Sequence, residues 1–238
     1  MPDLGSLDQL FATKRRLDSE AEATPAVASR LNELKTWQAA RLARTYADLR
    51  RDARCHAAIE FFLTDLYGPQ DFARRDADLT RAWDRLKRGL PDAALEVVAH
   101  ALELQVLSAE LDRAMVARLG GGPLNELSYA EAYRSVGRND ARQRQIDLVV
   151  GIGSDLGRLV TFPLVGLALR AAHIPAHLAG FGALQSFLER GFAAFRRLGE
   201  ARVLLDAIRD RETASMQALF AGSEEPFRLD RLPGVRGV

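Results

Sequence analysis

The chain has 238 residues, 47% hydrophobic and 27% charged, with a formal net charge of +1 and a sequence pI near 8.0. These values are globular: the chain is long enough to bury a sizeable core, and the composition excludes a disordered chain and the electrostatic footprint of a generic nucleic-acid binder. The single cysteine, Cys55, excludes an intrachain disulfide and fits a reducing, cytoplasmic setting.

In chain order, Met1 to Ser6 lacks a basic segment followed by an apolar one, so it does not read as a signal peptide. Ser6 and Gln9 fit a capping box, and Leu7, Leu10, Phe11 and Leu17 give a short amphipathic helix. Thr24-Pro25 starts a second helix, Thr24 as N-cap and Pro25 at the first helical position. Leu31, Leu34, Leu42, Leu49, His56, Ile59, Leu63 and Leu66 carry its apolar stripe to about residue 66. Its other face holds Arg41, Arg44, Asp48, Arg51 and Asp52 and reads as solvated. The consecutive Phe61, Phe62 and Leu63 drive the end of this helix into the core. Gly68-Pro69 stops it, and Asp71 is suited to cap a third helix whose inner face is Phe72, Leu79, Trp83 and Leu86. Gly89 ends that one.

Pro91 opens a long, central fourth helix to Leu119, striped by Val97, His100, Leu104, Leu107, Leu111 and Met115. Gly120-Gly121-Gly122-Pro123 is the clearest internal hinge. Asn125 or Ser128 caps a short helix bearing Tyr129 and Tyr133. Asn139 caps a long apolar helix, through Ile146, Val150, Val160 and Leu167, that Pro163 should kink. Within it, Leu159 to Leu169 is the most apolar stretch. It falls short of the roughly 20 residues a membrane span needs and reads as a buried helix. Pro175 begins another helix through Phe181, Leu184, Leu188, Phe192 and Phe195, and the last runs from about Ala201 to Phe220. No segment alternates with period two. The fold class is therefore all-α, a single-domain bundle of about seven or eight helices over residues 1–221, followed by a mobile polar tail over 222–238.

Candidate chemistry is sparse. Gly151, Gly153 and Gly157 resemble a dinucleotide fingerprint but lack the preceding strand that the mechanism needs, so Gly153 and Gly157, four apart, read as close helix packing. His173 and His177 have the i, i+4 spacing of metal ligands, yet Pro175 between them argues against a shared face. His56 with Glu60, and Glu96, His100 and Glu103, fall short of the Glu-x-x-His pairs of a di-iron site. No nucleophile motif or phosphate loop is present, and Cys55 reads as inert. No metal site and no cofactor is predicted.

The octapeptide Phe61-Phe62-Leu63-Thr64-Asp65-Leu66-Tyr67-Gly68 resembles the signature of the bacterial FFLEELY motif proteins, with Thr64 and Asp65 where that name has two Glu residues. Asp71, the Arg75-Asp76 pair and the segment Phe181 to Phe195 look like parts of the same signature. The resemblance implies a bacterial, cytoplasmic, helical protein. It carries over no activity and no catalytic residue.

The functional expectation is a non-enzymatic cytoplasmic interaction or scaffold protein, engaging a protein partner or forming a homo-oligomer. Nucleic acid and a membrane span are not expected. The alternative is a helical bundle with a small-molecule, haem or metal pocket and enzymatic activity. The residues to watch are Glu60, Asp65, Tyr67, Asp71, Arg75, Asp76, His56 and His100, which line either a ligand pocket or a structural corner.

Overall fold

An amphipathic helix has an apolar stripe to remove from water, and most of the helices here do so by packing their stripes together, in three clusters among the described residues. The computed structural model describes residues 4–66, 78–83, 87 and 92–234. Among these the regular structure is all helical: α1 (Leu4–Glu22), α2 (Pro25–Thr45), α3 (Ala47–Arg51), α4 (His56–Phe61) continued by a π turn (Phe62–Leu66), α5 (Asp92–Leu119), α6 (Glu126–Val136), α7 (Asn139–Leu159), α8 (Pro163–Leu178), α9 (Gly182–Leu198) and α10 (Arg202–Phe220). Residues 78–83 are also helical, and a 3-10 turn spans Leu229–Arg231. The stop at Gly68-Pro69, the cap at Asp71, the inner-face positions Phe72 and Leu86, and the signals at Gly89 and Pro91 lie outside the described residues.

The largest cluster joins Ile59, Phe61, Phe62 and Leu63 to Val150 on α7, Phe195 and Leu198 on α9, and Leu204, Leu205 and Ile208 on α10. The π turn inserts an extra residue per turn, which lets the consecutive Phe61, Phe62 and Leu63 all be buried. A second cluster gathers Leu34, Met115, Tyr129, Tyr133, Met216, Leu219 and Phe227. A third packs Leu7 and Phe11 of α1 against Trp83, Leu95 and Leu102. Burying one such Leu or Phe side chain contributes about 1.5–3 kcal/mol.

There are more helices than the seven or eight expected, because two long helices are broken. The one expected from Thr24 to about residue 66 ends at Thr45, since Tyr46 turns inward, fully buried, and its hydroxyl donates to Glu212 Oε1 at 2.8 Å. It breaks again where Asp52 Oδ1 accepts the Arg54 backbone N–H at 2.8 Å, a side chain outcompeting the helix ladder. The helix from Asn139 does not merely kink at Pro163. It ends at Leu159 and restarts with Pro163 at its first position, α7 and α8 meeting at 90°. The proline supplies no N–H and its ring opposes the carbonyl four residues back. Pro175 does not begin a helix but lies inside α8. The real boundary is Gly180 at φ 78°, with Phe181 N–H bonded to Ala176 O at 2.8 Å and Gly180 N–H to His177 O at 3.1 Å, a Schellman closure.

Two further details differ. α1 begins at Leu4, which puts Ser6 in its first turn rather than at the cap. The segment after 221 also contributes to the core: Pro226, Phe227 and Leu232 are buried, and Phe227 meets Trp37 and Tyr129 edge-on, each with ring centroids 5.9 Å apart. Asn125 and Ser128 cap α6 reciprocally, each side chain taking the other's backbone N–H at 3.0 Å.

Candidate functional site

The four nominated polar residues that are described engage three different neighbours, Arg50, Arg190 and Asp155. Glu60 forms an ion pair with Arg50 of α3, and His56 Nδ1 donates to the Arg50 carbonyl at 2.8 Å, so these two share one neighbour. Asp65 Oδ1 accepts from Arg190 Nε at 2.9 Å and Nη2 at 2.5 Å, fastening the π turn to α9. His100 faces α7 instead, its Nδ1 3.6 Å from Asp155 Oδ2. Tyr67, Asp71, Arg75 and Asp76 lie outside the described residues. Cys55 is buried just before α4, and burial pushes its thiol up, away from the nucleophilic thiolate.

The histidine pair on α8 does share a side, the rings 4.5 Å apart. His173 Nδ1 lies 2.8 Å from Glu189 Oε1, while His177 Nδ1 donates to its own helix at His173 O, 2.8 Å away. Gln185 Nε2 also donates to Glu189 and, with His173, holds that carboxyl below the usual carboxylate range. Among the described residues no group of three or more His, Cys, Asp or Glu side chains is placed to hold a metal. Of the glycine run only Gly153 marks a close approach, where a Cβ would collide with Leu205 of α10; Gly157 is in ordinary contact with Ala201, and Gly151 faces open space. A shallow groove of about 370 Å³ lies between α7 and the start of α10, lined by Arg158, Arg202 and Arg209. Each of these arginines already faces a carboxylate, of Asp155, Glu200 and Asp206 respectively.

The strongest electrostatics are buried between α2, α5, α6, α7 and α10. Arg41 Nη1 donates to both Glu212 oxygens, at 2.7 and 2.8 Å. Burial opposes the charged guanidinium, and the Glu212 carboxylate more than offsets that, holding Arg41 above its ordinary range. Burial and the same carboxylate raise the Tyr46 phenol. Arg211, with no exposed surface, grips Asp48 through two hydrogen bonds and also donates to the carbonyls of Thr45, Pro233 and Gly234. Arg142 lies over the Tyr133 ring, 4.2 Å from its centroid, its Nε and Nη2 buried without a hydrogen-bond partner among the described residues. Near it, Asp112 accepts from Gln38 at 3.1 Å, and burial raises its carboxyl. Arg41 and Asp48 therefore do not belong to a solvated face.

α8 is the converse case, an apolar helix left in solvent. Only Gly166 is buried along it, and there a Cβ would strike the Phe192 ring of α9. Leu164, Leu167, Ile174 and Leu178 are 76%, 62%, 68% and 85% exposed. The Leu159–Leu169 stretch expected inside the protein is thus buried only on its α9 side. With Ala171, the exposed positions 164, 167, 171, 174 and 178 alternate steps of three and four, the heptad seam of a helix awaiting another helix. The four large residues leave on the order of 500 Å² of apolar surface in water, within the range of the largest patch on a typical monomer, a size that is often functional. Among the described residues no single helix is long and apolar enough to cross a membrane.

Comparison with known families bears on these features. Residues 17–226 match the family described as a domain of unknown function, DUF8198. The chain belongs to the DUF8198 family. No curated protein and no solved structure matches it. The match includes α8 and all the helices of the buried charged layer, so in this DUF8198 chain both features belong to the family region. It stops at Pro226, one residue before the buried Phe227.

Sequence reasoning missed Arg142, Asp112, Arg211 and Glu212. The available signal was weak: Arg41, Thr45 and Asp48 repeat at i, i+4 and i+7 in the sequence, and Arg211, Glu212 and Ser215 stand close together on α10.

Proposed function

We propose that this protein is a non-enzymatic helical interaction or scaffold protein whose contact surface is the outer face of α8. The observation that carries the reading is the heptad-spaced exposure of Leu164, Leu167, Ile174 and Leu178 on an otherwise well-packed bundle. Leaving such a seam in water forgoes about 25 cal/mol for every Å² that a partner would cover. The polar candidates support the same reading, because Glu60, Asp65 and His56 are engaged in tying helices together. The octapeptide at residues 61–68 supports placing the chain with the bacterial FFLEELY motif proteins, and the single cysteine supports a cytoplasmic location.

A photo-crosslinking residue at Ile174, compared with one at the exposed Glu200, tests the reading in cells that make the protein. Discrete adducts from position 174 alone are expected. Adducts absent at 174, or equal at the two positions, would sink it.

A further inference from the structure

We propose that α8 pairs with α8 of a second copy of this chain, antiparallel, about a two-fold axis beside Ala171. This rests on reading α8 as the contact surface and names its occupant.

The argument is one of symmetry. A two-fold interface presents the same patch twice, so position 171+k of one copy must suit position 171−k of the other. The seam alone does not meet that condition, but the exposed face that adds Ala168 and Pro175 to it, positions 164, 167, 168, 171, 174, 175 and 178, maps onto itself. Leu164 falls opposite Leu178, Leu167 opposite Pro175, Ala168 opposite Ile174, and the small Ala171 sits at the crossing, where two backbones come closest. Large residues stand at both ends of the seam and a small one at the centre, as a close helix crossing needs. The paired seams, with the flanking exposed Ala168 and Pro175, bury about 1,000 Å² over both copies, the lower bound for a specific interface. The dimer is therefore weak and concentration-dependent. It also carries a signature. The exposed Arg170 flanks the seam next to the axis, which brings the two copies of it to the same side. Like charges there oppose pairing, and salt screens them. An anionic membrane surface would instead use Arg170 to bind, and salt would weaken it.

The test is sedimentation of the purified full-length protein across a concentration series, at low and high salt, with four variants. Leu167→Asp lies on the exposed face, and circular dichroism with a thermal melt verifies its fold. A monomer–dimer equilibrium is expected, weakened about tenfold or more by Leu167→Asp. It should tighten with salt and with Arg170→Ala. Ala171→Cys should give a disulfide-linked dimer on mild oxidation, Cys55 being buried, and Glu200→Cys should not.

A monomer at every concentration with no Ala171→Cys cross-link overturns the proposal, as does a dimer indifferent to Leu167→Asp. If the protein is monomeric but position 174 still cross-links in cells to a different protein, the second copy is overturned and the contact surface stands. If instead the wild type binds phosphatidylserine-containing vesicles and Arg170→Ala weakens that binding, a lipid surface replaces the second copy. If position 174 gives no adducts at all, the underlying reading fails with it.

Discussion

Arg211 holds Asp48 with both prongs of its guanidinium, Nη1 to Oδ1 at 2.8 Å and Nη2 to Oδ2 at 2.7 Å, across 163 residues of chain. Arg211 is fully buried and the Asp48 side chain is 13% exposed, so truncating one partner leaves the other charge uncompensated. Arg211→Ala should cost about 3–5 kcal/mol in urea unfolding. Replacing both ends, as Arg211→Met with Asp48→Leu, should recover much of that loss. Equal losses in the single and double variants would show that the carbonyls of Thr45, Pro233 and Gly234, not Asp48, are what Arg211 chiefly serves.

Two carboxyls in the core give opposite pH behaviour. Burial raises Asp48, but the hydrogen bonds and charge of Arg211 prevail and hold it below the ordinary range. A depressed carboxyl contributes stability above its unfolded value near 4, and that stability is lost as pH falls through the folded value. Asp112 is raised by burial, so the folded state holds its proton more tightly than the unfolded state does. Its contribution declines as pH rises from about 4 through the folded value, and acidification restores it. Asp112→Asn should therefore steepen the loss of stability between neutral and acidic pH. Urea midpoints measured from pH 7 down to about 3 check this, and parallel curves for the two proteins would refute it.

Phe227 is the test of where the folded unit ends. Its ring contacts Trp37 and Tyr129, and the Arg41 guanidinium lies 5.1 Å from its centroid. Phe227→Ala should cost about 3–5 kcal/mol. Differential scanning calorimetry reads this directly, and a change within experimental error would return residues 222 onward to the status of an appendage.

Gly191 on α9 lets the Phe61 ring lie against the helix backbone, and a Cβ there would sit 2.9 Å from Phe61 Cζ. Gly191→Ala should destabilise by about 1–3 kcal/mol. Adding Phe61→Leu should give back part of that in a thermal melt. If it does not, the strain falls elsewhere.

These sites also show what the sequence made legible. The extent of α5 and the Asn125 cap could be read because their causes are local, an apolar helix and a side chain three residues from the N–H that it takes, but the buried line of α5 runs through Leu95, Leu102 and Val106 and not through the expected Val97, His100 and Leu104. The break at Tyr46 could not, because Tyr46 leaves the helix to reach Glu212, 166 residues away. Arg41 and Asp48 looked solvated for the same reason, since a charged helix face becomes interior only when an opposing charge arrives from far along the chain. Of the nominated polar residues that are described, Glu60, Asp65 and His56 are each tied to an arginine that the sequence did not point to. α8 misled differently. Its apolar content was plain, yet composition alone does not say which neighbours will cover it.

The ties that α10 makes to α2 and α3 have a kinetic consequence. Their partners are 163 to 171 residues apart, whereas most of a helical bundle assembles from nearby contacts. Loop-closure entropy makes such a clasp late to form, after the intervening helices have shortened the path. Interactions made after the rate-limiting step leave the folding rate almost unchanged and govern the unfolding rate. The buried arginines would then act as a latch. In stopped-flow experiments Arg211 variants should unfold faster while refolding at nearly the wild-type rate, and the native protein's lifetime would be set by how long α10 stays clasped to α2 and α3.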